Sequence, residues 1–188
     1  MATIFLIHGS YGNPIENWFP WLKKELEQNG HTVFAPPFPT PENQSLEQWF
    51  ATFEPYEKFI DPQTIFVGHS LGAAFILSYL EHMEKPIRAC FFVAGFCSAL
   101  GNPQFDILNK TFVEKPFLWK DIRKYGRNFF VFHSDNDPYV PLQKGKELAS
   151  HLGTEVMLVK GAGHFNKESN YTKFPLLLEK ILETLKKG

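Results

Sequence analysis

The sequence predicts an α/β domain in which helices cover both faces of a parallel β-sheet. Short apolar runs, which suit buried strands, alternate along the chain with longer segments of helical periodicity. Neighbouring parallel strands need a crossover connection, which is usually a helix, so this alternation favours a three-layer architecture. A length of 188 residues suits a single domain, and no repeat, low-complexity segment or linker divides residues 1–188.

Six segments are predicted as strands because each is short, apolar and bounded by turn residues or prolines. They are Thr3–Ile7, Thr32–Ala35, Thr64–Val67, Ile87–Val93, Asn128–His133 and Glu155–Val159. Ligands of such sheets bind in the crevice beyond the carboxyl ends of the strands. The residues that directly follow each strand are therefore the first candidates for a functional site.

The segments between the strands carry helix signals. Pro20 suits the first turn of a helix that Gly30 can close, and Ser45 with Gln48 forms a capping box. Helices are predicted over Pro20–Asn29, from Ser45 onward, and over Leu71–Met83, Leu142–Leu152 and Pro175–Lys187. Residues 97–127 are the least regular segment, with weaker helical patterns at Phe105–Phe112 and Trp119–Tyr125.

Composition excludes several classes of protein. Apolar residues are 44% and charged residues 21%, which excludes a disordered chain, and a net charge of −1 offers no surface for nucleic acid. No apolar run approaches the roughly 18 residues of a membrane span, and the first, residues 4–7, is too short for a signal peptide. Cys90 and Cys97 have no zinc or redox spacing, so we expect two buried thiols in a cytoplasmic protein without a metal.

A serine flanked by glycines follows the third predicted strand. Gly68-His69-Ser70-Leu71-Gly72 fits the pattern G-x-S-x-G and lies between an apolar run and an apolar helix, the setting in which a strained turn exposes a nucleophilic serine. Side chains two positions before and after the serine would collide with the neighbouring strand and helix, which explains both glycines. The motif predicts that Ser70 is a nucleophile.

A serine hydroxyl needs a base to take its proton, and His164 is the best candidate among seven histidines. It lies in the glycine-rich loop 161–165 after the last predicted strand, where flanking glycines allow a side chain to be held over the sheet edge. His69 is expected to point away from the adjacent serine. His8, in the first loop, is expected to brace loops through hydrogen bonds.

The imidazole in turn needs an acid that fixes its tautomer and stabilises its charged form. Asp137 follows the fifth predicted strand, and Pro138 restricts its backbone to an extended conformation. Asp135 is the closest rival and Asp106 is a third candidate.

Backbone N–H donors are needed to stabilise an oxyanion. Leu71, directly after the serine, is expected to supply one and Ser10 the other, with the N–H of Tyr11 as the alternative. Aromatic residues make up 16% of the chain, and some of them are expected to line an acyl pocket while most build the core. The pocket candidates are Tyr11, Trp18, Phe38, Phe96, Trp119 and Phe165.

These motifs resemble those of small serine hydrolases with the α/β-hydrolase fold, in particular the family of retinoblastoma-binding protein 9 and the YdeN-like proteins. The resemblance covers the whole chain, including the early His-Gly loop, the G-x-S-x-G motif, an Asp-Pro pair and a Gly-His-Phe string. It implies a reduced, six-stranded parallel sheet in the order 2-1-3-4-5-6. It also implies that Ser70, Asp137 and His164 form a catalytic triad.

The expected function is hydrolysis of small acyl esters by a serine carboxylesterase that needs no cofactor. A thioesterase or an acyltransferase would use the same residues, and a protein-interaction module with a vestigial site is the alternative from another class. The resemblance does not carry over binding to retinoblastoma protein, since the string Leu-x-Cys-x-Glu does not occur, and other protein partners are left open. Short acyl chains are expected to be preferred, because residues 97–127 leave room for at most a small cap.

Overall fold

A computed structural model describes residues 1–186 and shows a six-stranded parallel sheet between two layers of helices. The strands are β1 (Thr3–Ile7), β2 (Thr32–Phe34), β3 (Ile65–His69), β4 (Ala89–Val93), β5 (Phe129–His133) and β6 (Val156–Leu158). Their order across the sheet is β2-β1-β3-β4-β5-β6, and every neighbouring pair is parallel. The predicted fold class and strand order are confirmed.

Seven α-helices connect or follow these strands in the described part of the chain. They are α1 (Phe19–Gln28), α2 (Leu46–Phe53), α3 (Gly72–Leu80), α4 (Pro103–Val113), α5 (Trp119–Tyr125), α6 (Leu142–Leu152) and α7 (Pro175–Lys186). Short 3₁₀ turns cover Glu54–Phe59 and Lys167–Ser169. The prediction extended the last helix to Lys187, which lies outside the described residues. None of the described helices has the length and apolar character needed to cross a membrane.

Two helix boundaries differ from the prediction by two or more residues, each for a local reason. The apolar pattern extended α3 to Met83, but the N–H groups of His82 and Met83 bond three residues back, which tightens the chain into a turn after Leu80. In the irregular segment, α4 is a regular helix that begins earlier than predicted. Asn102 caps it by accepting a hydrogen bond from the Gln104 N–H at 3.1 Å.

A separate hydrophobic core lies on each face of the sheet. On one face, buried side chains of α2, α3 and α6 pack on the strands, with aromatic rings such as Phe53 and Phe75 in T-shaped contact at 5.7 Å. On the other face, α1 and α7 cover residues that include Ile4 and Phe91. Because helices cover both faces of the sheet, the loops at its carboxyl edge lie between two packed layers. These loops surround the candidate site.

Candidate active site

A cleft with a volume of about 500 Å³ opens at the carboxyl edge of the sheet. The loops that follow β1, β3, β4, β5 and β6 all contribute to its walls, together with α4. Ser70 and His164 both line this cleft, as does Ser10. Its place beyond the strand ends is the one where ligands bind in sheets of this type.

Ser70 sits on a strained turn between β3 and α3. Its φ of 54° lies in the left-handed region that non-glycine residues rarely adopt, and its N–H donates to the carbonyl of Val93 at 2.9 Å. A Cβ at Gly68 would lie 2.7 Å from the side chain of Ile76, and one at Gly72 would collide with the carbonyl oxygen of Ile7. The two glycines are therefore required by the close packing of this turn against α3 and β1.

His164 is bonded to a buried carboxylate. Its Nδ1 lies 2.8 Å from Oδ2 of Asp137, whose side chain is 0% exposed. The other carboxylate oxygen accepts the backbone N–H groups of Tyr139 at 2.9 Å and Val140 at 3.0 Å. Burial alone raises the pKa of Asp137, but the bonds from His164 and these two N–H groups outweigh it and hold the pKa below its ordinary value. An ionised Asp137 places the proton of neutral His164 on Nδ1 and leaves Nε2 able to accept one.

The two rival acids have other partners. Asp135 Oδ1 accepts the N–H of Gly161 at 2.8 Å, which ties the loop after β5 to the loop after β6. Asp106 accepts the N–H groups of Leu100 at 2.6 Å and Gly101 at 2.9 Å near the start of α4. Of the three candidate acids, only Asp137 is bonded to His164.

Three other histidines are buried and form hydrogen bonds with the backbone of loops near the cleft. His8 Nε2 accepts the N–H of Phe38 at 3.1 Å, so its Nδ1 donates to the carbonyl of Gly9 at 2.9 Å. His69 Nε2 donates to the carbonyl of His164 at 2.8 Å, and burial lowers the pKa of His69 to about 3. His133 Nε2 donates to a carbonyl at 2.9 Å, and burial lowers its pKa too. These bonds fix the loops around His164.

Two backbone N–H groups beside Ser70 are free to bind an anion. Within residues 1–186, the N–H groups of Ser10 and Leu71 donate to no acceptor. The alternative donor, the N–H of Tyr11, is occupied, since it donates to Thr40 Oγ1 at 2.7 Å. The loop after β1 approaches closely because it carries Gly9, where a Cβ would lie 3.1 Å from the hydroxyl of Ser70.

The hydroxyl of Ser70 and the ring of His164 face one cleft without being bonded to each other. Among the hydrogen bonds of the described residues, none joins these two side chains. Bonds between a nucleophile and its base are often long in ligand-free sites and shorten when substrate binds.

Comparison with known proteins identifies the family. A family model described as serine hydrolase matches residues 4–183. This chain belongs to the serine hydrolase family. It is 30% identical to the YdeN hydrolase of Bacillus subtilis over 178 residues, which cover 94% of this chain and 92% of YdeN. It is 27% identical to the serine hydrolase RBBP9 of Rattus norvegicus over 163 residues, 85% of each chain. The resemblance to small serine hydrolases that the motifs indicate is therefore confirmed.

Solved structures place this serine hydrolase among α/β-hydrolases. The crystal structure of the ydeN gene product from Bacillus subtilis superposes with a TM-score of 0.93 and covers 100% of both chains at 28% identity. Est1E from Butyrivibrio proteoclasticus superposes with a TM-score of 0.73 at 16% identity, covering 99% of this chain and 89% of Est1E. The latter likeness shows a shared fold.

The structure places only two of the six predicted pocket residues, Tyr11 and Phe96, in the cleft walls. The prediction was wrong for the other four, which pack elsewhere. Trp18 lies in the core and its Nε1 donates to the carbonyl of Phe165 at 3.0 Å. The remaining three stack on partners outside the cleft, in the pairs Phe38–Trp49, Trp119–His151 and Phe165–Phe174. Aromatic content predicts how much surface is buried but does not say which way each ring points.

Several residues that line the cleft were not predicted from the sequence. Leu100, Phe105 and Asn109 belong to α4 and the loop before it, and Tyr139 and Val140 lie in the loop after β5. The one available signal was the spacing of four between Phe105 and Asn109, which places both on one face of a helix. That signal was weak because the helical pattern of this segment is itself weak.

Proposed function

We propose that this serine hydrolase is a carboxylesterase that cleaves small acyl esters through Ser70, His164 and Asp137. The observation that carries the proposal is the 2.8 Å bond between His164 Nδ1 and the buried Asp137 carboxylate, at the wall of the cleft that Ser70 also lines. This bond orients the imidazole and stabilises the imidazolium that forms when Nε2 takes the serine proton.

The reaction proceeds in two halves. Ser70 Oγ attacks the ester carbonyl as His164 Nε2 takes its proton, and the N–H groups of Ser10 and Leu71 bind the oxyanion of the tetrahedral intermediate. His164 then gives the proton to the leaving alcohol, which leaves an acyl-enzyme. Water repeats the sequence on the acyl-enzyme, releases the carboxylic acid and restores the Ser70 hydroxyl.

The shape and lining of the cleft support a small ester as substrate. Its volume of about 500 Å³ lies in the range typical of small-molecule sites. Its lining combines apolar side chains such as Phe96 and Phe105 with polar ones such as Asn13 and Lys167. An ester with an apolar acyl part and a polar alcohol matches this mixed lining. A cytoplasmic location belongs to the same proposal, and the free thiols of Cys90 and Cys97 suit a reducing compartment.

The test is the Ser70→Ala variant, assayed for hydrolysis of 4-nitrophenyl butyrate and for labelling by a fluorophosphonate probe. We expect turnover to fall by about 10⁶-fold and labelling to be lost, because the variant removes only the nucleophile. Ser150→Ala, at an exposed position of α6, is the matched control and should keep both activities. Undiminished turnover in Ser70→Ala would refute the assignment. Labelling without hydrolysis of any oxygen ester, but with hydrolysis of thioesters, would make the enzyme a thioesterase.

A further inference from the structure

Asn109 is a buried polar residue that the proposed reaction does not use. It lies on α4, is only 2% exposed, and borders the same cleft as Ser70. A side-chain amide carries one acceptor oxygen and two N–H donors, and buried polar groups normally find partners for both. The orientation of this amide therefore decides whether it offers the cleft an acceptor or a donor.

Two groups whose hydrogen-bonding roles are fixed, one as donor and one as acceptor, orient the neighbouring amide of Gln44. Thr40 Oγ1 accepts the N–H of Tyr11 at 2.7 Å, so its own hydroxyl proton is donated to Gln44 Oε1 at 2.6 Å. On the other side, Gln44 Nε2 lies 3.1 Å from the backbone carbonyl of Leu108, which can only accept. Both contacts require the oxygen of Gln44 to face Thr40 and the nitrogen to face α4.

Gln44 in turn orients Asn109. Gln44 Nε2 donates to Asn109 Oδ1 at 2.9 Å, and the hydroxyl of Ser10 donates to the same oxygen at 2.7 Å. Because Oδ1 is held by two donors, Nδ2 must point the other way. No acceptor within residues 1–186 is bonded to it. The amide thus presents unpaired N–H donors at the wall of the cleft.

Apolar side chains line the cleft together with this donor. Phe105 precedes Asn109 by one helical turn on α4, and Phe96, Leu100 and Val140 are further apolar residues of the lining. A purely hydrocarbon acyl group placed here would strip water from the amide without replacing its hydrogen bond, which is unfavourable. An acyl group that carries an oxygen at this point would satisfy the amide.

We propose that Asn109 Nδ2 recognises an oxygen acceptor on the acyl group, and that the preferred substrates are esters of short hydroxy- or oxo-acids. This proposal rests on the proposed esterase function and names the substrate class of the same site. Such a site discriminates between acyl groups that do and do not carry the oxygen. A site that hydrogen-bonds a polar group strongly rejects an analogue without that group, whereas a hydrophobic pocket rejects one extra methylene only weakly.

The test compares matched 4-nitrophenyl esters: 3-hydroxybutyrate with butyrate, and 4-oxopentanoate with pentanoate. Each kcat/KM is divided by the rate of hydroxide-catalysed hydrolysis of the same ester, which removes differences in intrinsic reactivity. In the wild type we expect each oxygenated ester to exceed its plain partner by about tenfold, the contribution of one neutral hydrogen bond.

Asn109→Asp removes the donor while keeping an oxygen for Ser10 and Gln44 to bond. We expect it to abolish the tenfold preference or to reverse it, because a carboxylate repels an oxygen acceptor. Ile107→Asp is the matched control, since it adds the same charge at an exposed position of α4 and should leave the preference unchanged. Circular dichroism verifies folding, and Asn109→Ala, which also removes the donor, replaces any variant at Asn109 that does not fold.

Two results would overturn the proposal. One is a wild-type ratio near one for both pairs of esters. The other is an equal loss for oxygenated and plain esters in the Asn109 variants, which would show that the amide only holds Ser10 or bonds the oxyanion. Failure of the esterase function itself is distinct, because then no ester is hydrolysed and the fluorophosphonate probe does not label Ser70.

Discussion

At the scale of single residues, side chains of one loop hold the backbone of another. Side chains at positions 134–136, after β5, accept the backbone N–H groups of residues 161–163 at 2.8, 3.0 and 2.8 Å. Asp137 follows them and bonds the ring of His164, while His69 bonds its carbonyl oxygen. The imidazole is therefore fixed both through its ring and through its backbone, which is the preorganisation that a general base requires.

Asp135 and Asp137 are two positions apart but have different partners, so their asparagine variants should behave differently. Asp137→Asn should lower turnover by up to about 10⁴-fold, because an amide at this position favours the wrong tautomer of His164. Asp135→Asn keeps an oxygen for the N–H of Gly161 and should cost only a few-fold. Steady-state kinetics of both variants on one aryl ester measure the difference, and a larger loss at Asp135 would transfer the role of acid to it.

At the scale of elements, the turn between β3 and α3 is a tightly packed connection of the site. Gly72 begins α3 directly against the backbone of β1, while Gly68 lies under the side chain of Ile76. The same close approach brings the loop after β1, with Ser10, beside Ser70. Packing of this turn and the position of the proposed oxyanion donors are consequently one structural feature.

Gly72→Ala should destabilise the fold by about 2–3 kcal/mol, because its Cβ would meet the backbone carbonyl of Ile7, which cannot rotate away. Gly153→Ala is the comparison. Gly153 ends α6 with a φ of 70° in open space, so the alanine there costs only the conformational term of about 1 kcal/mol. Urea unfolding of both variants gives the two free energies, and equal losses would contradict the steric explanation.

At the scale of the whole molecule, the fold buries histidines that are neutral in the native state. His69, His8 and His133 all have lowered pKa values, with burial as the main cause in each. In the unfolded chain a histidine regains its ordinary pKa of 6.5. As the pH falls below that value, the unfolded chain binds protons that the native state excludes, so acid favours unfolding.

The free energy of unfolding should therefore be largest above pH 6.5 and decline as the pH falls, because burial lowers the pKa of native His69 to about 3. His69 alone contributes a slope of up to about 1.4 kcal/mol per pH unit across that window. Urea denaturation at a series of pH values measures it. His69→Gln, which can still donate to the carbonyl of His164, should show a shallower slope, and an unchanged slope would argue against this origin.

The overall architecture also limits the acyl chain. The segment between β4 and β5 forms α4 and α5, and α5 packs against α3 and α6. The parts of this segment that line the cleft are α4 and the loop before it, which carries Phe96 and Leu100. A cleft of about 500 Å³ with so small a cap gives no covered groove for an extended lipid. We expect 4-nitrophenyl acetate and butyrate to be hydrolysed faster than the laurate. Markedly faster hydrolysis of the laurate would disprove this.

The elements, the strand order and the candidate nucleophile Ser70 could all be predicted from the sequence. Apolar runs and turn residues act locally, so five of the six predicted strands begin within one residue of their observed starts, and β4 begins two residues late. The motif around Ser70 could also be recognised in the sequence. The turn requires glycines two positions before and two positions after the serine, so all its steric requirements fall within five consecutive residues. The family resemblance carried by these motifs supplied the order of the strands.

The choices between neighbouring residues depend on long-range contacts of the fold. Asp137 rather than Asp135 meets His164, and Ser10 rather than Tyr11 keeps a free N–H, because partners distant in sequence occupy the alternatives. The direction of each aromatic ring and the orientation of the Asn109 amide were likewise beyond the sequence. Local patterns report burial and backbone conformation, whereas hydrogen-bond pairing and side-chain direction depend on which distant segments the fold brings together.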